Sequence, residues 1–476
     1  MEEPWRLGAE ACAAAIRSGR LSAVAVTESV LARVAAVNPH INAIVDPMAE
    51  EALTAAAAAD RALRRGEIIG PLHGVPVTVK INVDCRGRAT TNGVAAFQEL
   101  IAAEDSPPVA ALRRSGAILI GRTNTPAFSM RWFTNNALHG RTLNPFAPDR
   151  TPGGSSGGAA AAVATGMGAL AHGNDYGGSI RYPAYACGVA GLRPSLGRVP
   201  AFNATAAAER TLTNQLMSVQ GPLARTVADC RLGLAVLAVA DPRDPNFTPA
   251  PLTFPAPARK LRAALFTAPA GAAVDAAVEA AVEKAGAWLA EAGSDVIRAA
   301  PPHFEEASAL WRSLVYTDLR LSSLATMERL GDEPLRRSLK YSMRYPSLDF
   351  EGFLAGLARR FTLARAWSLF LSDHDVLVLP TSFRLPFPVD ADIQSEEEAE
   401  AVLAAQAPLL APALLGLPGL SVPVGLAEGV PVGVQIVAGR FREDLCCAAG
   451  EVIERAAAFS ALAHLDSLPV AAKGRG

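Results

Sequence analysis

A surplus of basic residues is missing from this chain. Its 44 Lys and Arg stand against 46 Asp and Glu, for a net charge of −2, so no long-range field draws it to nucleic acid or to an anionic membrane. No Lys/Arg block or basic aromatic stripe offsets that balance, and neither partner is expected. Long apolar runs are missing too. The best stretches, 159–173 and 409–424, fall short of about 18 clean apolar residues. The second is broken by Pro412, Gly416, Pro418 and Gly419. Both read as core elements. The opening Met1-Glu2-Glu3-Pro4-Trp5 is acidic, the wrong order of charge for a secretory signal. Cys12, Cys85, Cys187, Cys230, Cys446 and Cys447 include no C-x-x-C pair and have no evident zinc partner. They read as buried free thiols in a reducing compartment, so a soluble, cytoplasmic protein is expected.

Half of the 476 residues are apolar, enough for a large core. Residues 8–35 and 48–65 carry helical periodicity, with a break at Ser18-Gly19 and a separator at Asn38-Pro39. A β-branched run over 77–81, containing Lys80, reads as a buried strand. A second strand signal at 117–120 follows a helix ending at Ser115-Gly116, and such alternation indicates an α/β sheet protein. Glycine is densest over 151–195, where an Ala-rich helix (159–164) precedes a strand-like piece (167–171). Residues 222–240 read as a helix, 242–257 as an exposed Pro-rich connection, and 270–375 as a helical half. Strand texture returns at 376–380, 420–424 and 432–437, before a last amphipathic helix over 443–458. The acidic run Glu396-Glu397-Glu398 reads as a solvated helix face. Strands at both ends with helices between indicate one sheet and a single domain over 1–476.

Two glycine-flanked serines carry the chemistry. Gly153-Gly154-Ser155-Ser156-Gly157-Gly158 satisfies G-x-S-x-G, but that turn needs a strand directly before it. The preceding segment holds Pro145, Pro148 and Pro152, which no central strand tolerates. No G-K-[ST] follows either, which argues against a phosphate loop. In the second turn, Asp175-Tyr176-Gly177-Gly178-Ser179, the glycines let a carbonyl approach the main chain, whose amides could serve as an oxyanion hole beside a nucleophilic Ser179. Such a serine needs a base. Seven histidines (His40, His73, His139, His172, His303, His374 and His464) offer no recognisable triad context. Lys80 at the end of an apolar strand is the other candidate, if burial lowers its pKa of about 10.4 by roughly 3 units.

Lys80, the 153–158 loop and Gly177-Gly178-Ser179-Ile180-Arg181 together resemble the amidase-signature family. So do Ala186-Cys187-Gly188-Val189-Ala190-Gly191-Leu192-Arg193-Pro194 and Gly221-Pro222-Leu223-Ala224-Arg225. The C-terminal Gly416-Leu417-Pro418-Gly419-Leu420-Ser421-Val422-Pro423 and Pro431-Val432-Gly433-Val434-Gln435 match as well. The resemblance covers about 70–230 almost continuously and returns at 405–455. It implies an α/β/α sandwich with a large mixed central sheet and a Ser–cis-Ser–Lys triad. A signature core (about 70–230), a helical substrate-shaping segment (about 260–375) and a sheet-completing segment (about 376–460) would share it. The family's spacing selects Ser155 over Ser156 as the relay between Lys80 and the nucleophile Ser179, with a cis peptide bond before Ser155. It also implies that the amides from Tyr176 through Gly177 and Gly178 to Ser179 hold the oxyanion, and that no metal or organic cofactor takes part.

Two departures from the pattern stand out: Asn82 where the family often has Asp, and Ala127 where it often has Glu. By position, the segment holding Ser129, Met130 and Trp132 lines the acyl pocket, and its apolar groups favour an apolar or aromatic substrate. The expectation is an amidohydrolase acting on small hydrophobic or aryl amides through an acyl-serine, with carbamates (urethanes), anilides and esters chemically adjacent. The protein would work as a monomer or homodimer with a small-molecule substrate as its partner. The alternatives are the glutaminase subunit of a tRNA-dependent amidotransferase, which the apolar pocket disfavours, and, more remotely, an inactive binding module.

Overall fold

The computed structural model describes residues 3–67, 69–255 and 259–465. Eleven strands form one mixed sheet. They are β1 (Ile44–Pro47), β2 (Pro76–Lys80), β3 (Ile118–Thr123), β4 (Leu170–Asp175), β5 (Ala190–Arg193), β6 (Val219–Ala224), β7 (Arg262–Leu265), β8 (Asp295–Arg298), β9 (Val376–Pro380), β10 (Gly419–Ala427) and β11 (Val430–Ala438). Their order across the sheet is β1-β3-β2-β4-β6-β5-β10-β11-β9-β7-β8, so strands from every third of the chain share one layer. Every residue of β2, β3, β9 and β11 is buried. A strand buried on both sides needs helices on both faces, and the architecture is an α/β/α sandwich.

The middle of the sheet positions the site. β2 pairs parallel with β3 on one side and with β4 on the other, with Thr78 opposite Ala171. The C-terminal ends of β2 and β4 therefore lie at the same edge, which brings Lys80 beside Asn174 and Asp175. The crossover to β4 includes the helix Gly157–Ala164, whose eight residues are all buried. Only small side chains fit there: a Cβ on Gly158 would stand 2.5 Å from the Asn124 backbone nitrogen.

Several boundaries differ from the sequence reading. The second helix runs from Ala23 to Ile41, straight through Asn38-Pro39. Proline is tolerated there because it falls in the last turn, where only one backbone bond is lost. Asn38 ends the helix instead, its Oδ1 accepting the N–H groups of Ala43 and Ile44, both at 2.9 Å. That turn leads into the four-residue edge strand β1, too short to show alternation in the sequence. The strand expected at 167–171 begins at Leu170, since Gly166 and Met167 complete the exit turn of the preceding helix by donating to Val163 and Ala162. The helix expected over 222–240 is Val227–Leu237, preceded by β6. The helical segment expected over about 260–375 contains two strands, β7 and β8, paired parallel at the sheet edge; four residues each, they carry too little pattern to be read. All six cysteines are buried and free, and Glu396-Glu397-Glu398 opens a helix on its exposed face. Among the described residues no single helix is long and apolar enough to cross a membrane.

Candidate active site

Lys80 is fully buried, and its Nζ has two partners at 2.7 Å each, Ser155 Oγ and Asn174 Oδ1. Burial pushes its pKa well below the usual lysine value, against the opposing pull of the Asp175 carboxylate, so the neutral amine is favoured. The peptide bond between Gly154 and Ser155 is cis. Ser156 does not face Lys80; its N–H donates to the Ser179 carbonyl at 3.2 Å, which ties the two serine loops together. Ser155 and Ser179 border the same cavity. Among the described residues no histidine hydrogen-bonds to either serine. His172, near them in sequence, bonds to Gln220 Oε1 at 2.9 Å, and burial pushes it down to about 4.

Asn82 belongs to a relay of neutral amides. Its Oδ1 accepts from Asn174 Nδ2, and its Nδ2 donates to Ser129 Oγ, both at 3.0 Å. Ser129 also bonds Thr125 Oγ1 at 2.9 Å and Asn92 Oδ1 at 2.7 Å. These contacts hold Phe128 and Ser129 at φ 56° and 58°, left-handed values that cost a non-glycine residue energy. An aspartate at position 82 could not donate to Ser129 and would add a charge favouring protonated Lys80. The departure at Asn82 thus adds no negative charge beside the amine, and Asn174, to which the sequence reading gave no role, accepts from it through Oδ1 at 2.7 Å.

The Ser179 turn is fixed by charges drawn from distant segments. Asp175, fully buried, accepts from Arg181 at 2.9 and 3.0 Å, from Arg193 at 3.0 Å, and from the Gly178 N–H at 2.8 Å. Arg181 also donates to Gln435 Oε1 at 2.5 Å. Three of the separate sequence motifs converge here. Burial alone would raise the Asp175 pKa; the two guanidiniums overcome it and hold the carboxyl well below the usual range. Stability from this carboxylate is therefore present above about pH 4 and lost as pH falls toward the folded-state value. Asp175→Asn, which strands two buried guanidiniums, is expected to cost about 3–5 kcal/mol, read from denaturant midpoints at pH 7.

The expected oxyanion donors differ in availability. Gly178, at φ 107°, spends its N–H on Asp175, which removes it from the set. Among the described residues the N–H groups of Tyr176, Gly177 and Ser179 have no protein acceptor. Two indoles orient this turn. Trp311 Nε1 donates to the Tyr176 carbonyl at 3.1 Å and Trp132 Nε1 to the Gly177 carbonyl at 3.0 Å. In a trans peptide the C=O and N–H point opposite ways, so anchoring the Tyr176 carbonyl aims the Gly177 N–H. A Cβ on Gly177 would stand 2.6 Å from the Trp311 ring, so only glycine fits beneath it. Trp311→Phe is expected to lower kcat about tenfold with little change in KM for acetamide, whose acyl group is too small to need the ring.

Two cavities meet at Ser179. The first encloses about 880 Å³ including its mouth, with Ser129, Met130 and Trp132 joined by Trp311, Tyr316 and Tyr345. Those last three, from the segment expected to shape the substrate, have no local motif: Trp311 and Tyr316 lie on the helix Phe304–Ser322, and Tyr345 in the bend between two further helices. Arg131, between Met130 and Trp132, turns to Asp392 at 2.6 and 2.8 Å and to Asp390 at 2.9 Å, so its charge is neutralised internally. The second cavity, about 1270 Å³ including its mouth, is more polar than the first and is bordered by Ser155, Asn82 and Gln220, with Phe128 and Phe202 among its apolar walls.

Comparisons with known proteins agree with this geometry. A family model described as Amidase matches residues 25–447. Indoleacetamide hydrolase of Bradyrhizobium diazoefficiens is 45% identical over 462 residues, covering 97% of this chain and 88% of that one. A glutamyl-tRNA(Gln) amidotransferase subunit of Acidothermus cellulolyticus is 32% identical, covering 96% and 95%. The crystal structure of a bacterial aryl acylamidase of the amidase-signature family superimposes with a TM-score of 0.84 at 27% identity, covering 97% and 99%.

Proposed function

Because the chain belongs to the amidase-signature family and is an amidohydrolase acting on amide carbonyl–nitrogen bonds, we propose that its substrates are small amides with an aryl or indolyl acyl group. The observation that carries this reading is the aromatic cavity opening directly onto Ser179. Flat rings bury well against Trp132, Trp311 and Tyr316, and aromatic contacts add energy beyond the area buried. The name of the Bradyrhizobium relative points the same way, toward arylacetamides such as indole-3-acetamide.

The arrangement of the site supports the following mechanism. Neutral Lys80 takes a proton from Ser155 as Ser155 takes one from Ser179, whose oxygen attacks the amide carbon. The N–H groups of Tyr176, Gly177 and Ser179 receive the oxyanion. Ser155 then returns a proton to the departing nitrogen, and water cleaves the acyl-Ser179 ester. Glutamine is a poor fit for the aromatic cavity: its charged ends would need partners, and Arg131 is already paired.

A panel of phenylacetamide, indole-3-acetamide, an acetanilide, an aryl carbamate, a phenyl ester and glutamine, tested on the isolated chain, decides this reading. Highest kcat/KM for the arylacetamides is expected. Preference for glutamine, or a rate independent of the acyl group, overturns it.

A further inference from the structure

We propose that the polar chamber beside Ser155 is a leaving-group site that takes an uncharged amine portion carrying a hydrogen-bond acceptor, such as a carboxamide. The proposal rests on the aryl-amide reading above and extends it to the other half of the substrate. Ser129, Met130, Tyr176 and Ser179 are walls common to both cavities, so a carbonyl carbon held at Ser179 sends its two substituents in different directions. Among the described residues Ser155 borders the polar chamber and not the aromatic pocket. A proton handed from Ser155 Oγ to the amide nitrogen requires that nitrogen on the chamber side. The acyl group then occupies the aromatic pocket, and the amine portion enters the chamber.

The chamber's chemistry says what that portion carries. At about 1270 Å³ including its mouth it is far larger than ammonia needs. Its walls present amide donors that the protein leaves unused. Gln220 sits on β6 directly opposite Asn174; its Oε1 is occupied by His172, and its Nε2 has no protein partner among the described residues. Asn92 commits Oδ1 to Ser129, with its Nδ2 left over, and the side-chain amide of Asn214 has no protein partner among the described residues. N–H donors around a cavity call for acceptors on the ligand. At the wall Glu209 accepts the Arg210 N–H at 2.9 Å and the Arg210 guanidinium pairs with Asp244 at 3.7 Å, so neither charge is held ready for a ligand, which favours an uncharged group. The step is balanced: the Ser179 oxygen–carbonyl bond forms, the carbon–nitrogen bond breaks, and the amine leaves with the proton that Ser155 received from Ser179.

The test uses three matched arylacetyl substrates: the primary amide, the N-propyl amide and the glycinamide conjugate. Wild-type enzyme is expected to favour the glycinamide conjugate over the N-propyl amide about tenfold in kcat/KM, the worth of one or two hydrogen bonds. Asn214→Ala and Gln220→Leu are each expected to lower that ratio about threefold, and the double variant to bring it close to one. A ratio is independent of the fraction of enzyme folded, and the half-exposed Asn214 gives a variant less prone to misfold. Equal rates for the two secondary amides, a preference unmoved by both variants, or hydrolysis of the primary amide alone overturns the leaving-group site. Failure on all three substrates overturns the aryl-amide reading instead.

Discussion

Ser179→Ala is expected to lower kcat on the order of a hundred-thousand-fold and to abolish covalent labelling by a serine-directed phosphonate. The size of the effect follows from the path of the reaction. On the proposed mechanism no acyl-enzyme forms without the hydroxyl, and what remains is binding and oxyanion stabilisation of a direct attack by water. The fold should be indifferent. Ser179 Oγ makes no hydrogen bond to the protein among the described residues, so its loss strands no partner, and the turn is held by Asp175, Arg181 and Arg193. An unchanged denaturation midpoint beside the lost activity separates this outcome from misfolding. Labelling that persists on another serine would remove Ser179 from its role.

Lys80→Met is expected to cut kcat about 10²- to 10⁴-fold, the usual worth of a positioned base, and to erase the acidic limb of the wild-type pH–rate profile. On the proposed mechanism protonated Lys80 cannot accept a proton from Ser155, so wild-type kcat/KM is expected to rise with pH through the folded-state pKa. The same burial makes a stability prediction of definite sign. Lys80 is neutral when folded and protonated when unfolded anywhere between its depressed value and about 10.4. In that window the unfolded chain binds one more proton, so wild-type stability rises with pH by up to about 1.4 kcal/mol per unit. Methionine has no such term. The stability of wild type relative to Lys80→Met should therefore climb as pH rises from the depressed value toward about 10.4; a flat difference would mean that Lys80 is charged in the folded protein.

The sequence carried the family, the α/β class and the positions of the two serine loops, because those depend on local chemistry. Glycines on either side of Ser155 and before Ser179, and a lysine closing a short β-branched strand, are legible wherever they occur. Even so, preferring Lys80 to seven histidines and Ser155 to Ser156 required the family's spacing. The tertiary structure supplies a physical basis: Lys80 Nζ lies 2.7 Å from Ser155 Oγ, whereas the Ser156 hydroxyl is bonded to the Asn174 backbone.

What only the fold decided is whatever depends on which strand ends lie side by side. Asn174 meets Lys80 because β2 and β4 are parallel neighbours, a pairing that sequence separation conceals. Asp175 gathers Arg181 and Arg193, and through Arg181 reaches Gln435, because β4, β5 and β11 belong to one sheet. That carboxylate also takes the Gly178 N–H, so one of the amides expected to bind the oxyanion is spent on structure. Trp311, Tyr316 and Tyr345 reach the site from a segment that reads only as helix, since helical periodicity shows which face is buried but not against what. The short strands β1, β7 and β8 went unseen for a related reason: their four residues are held by their neighbours in the sheet, and too few side chains alternate to mark them.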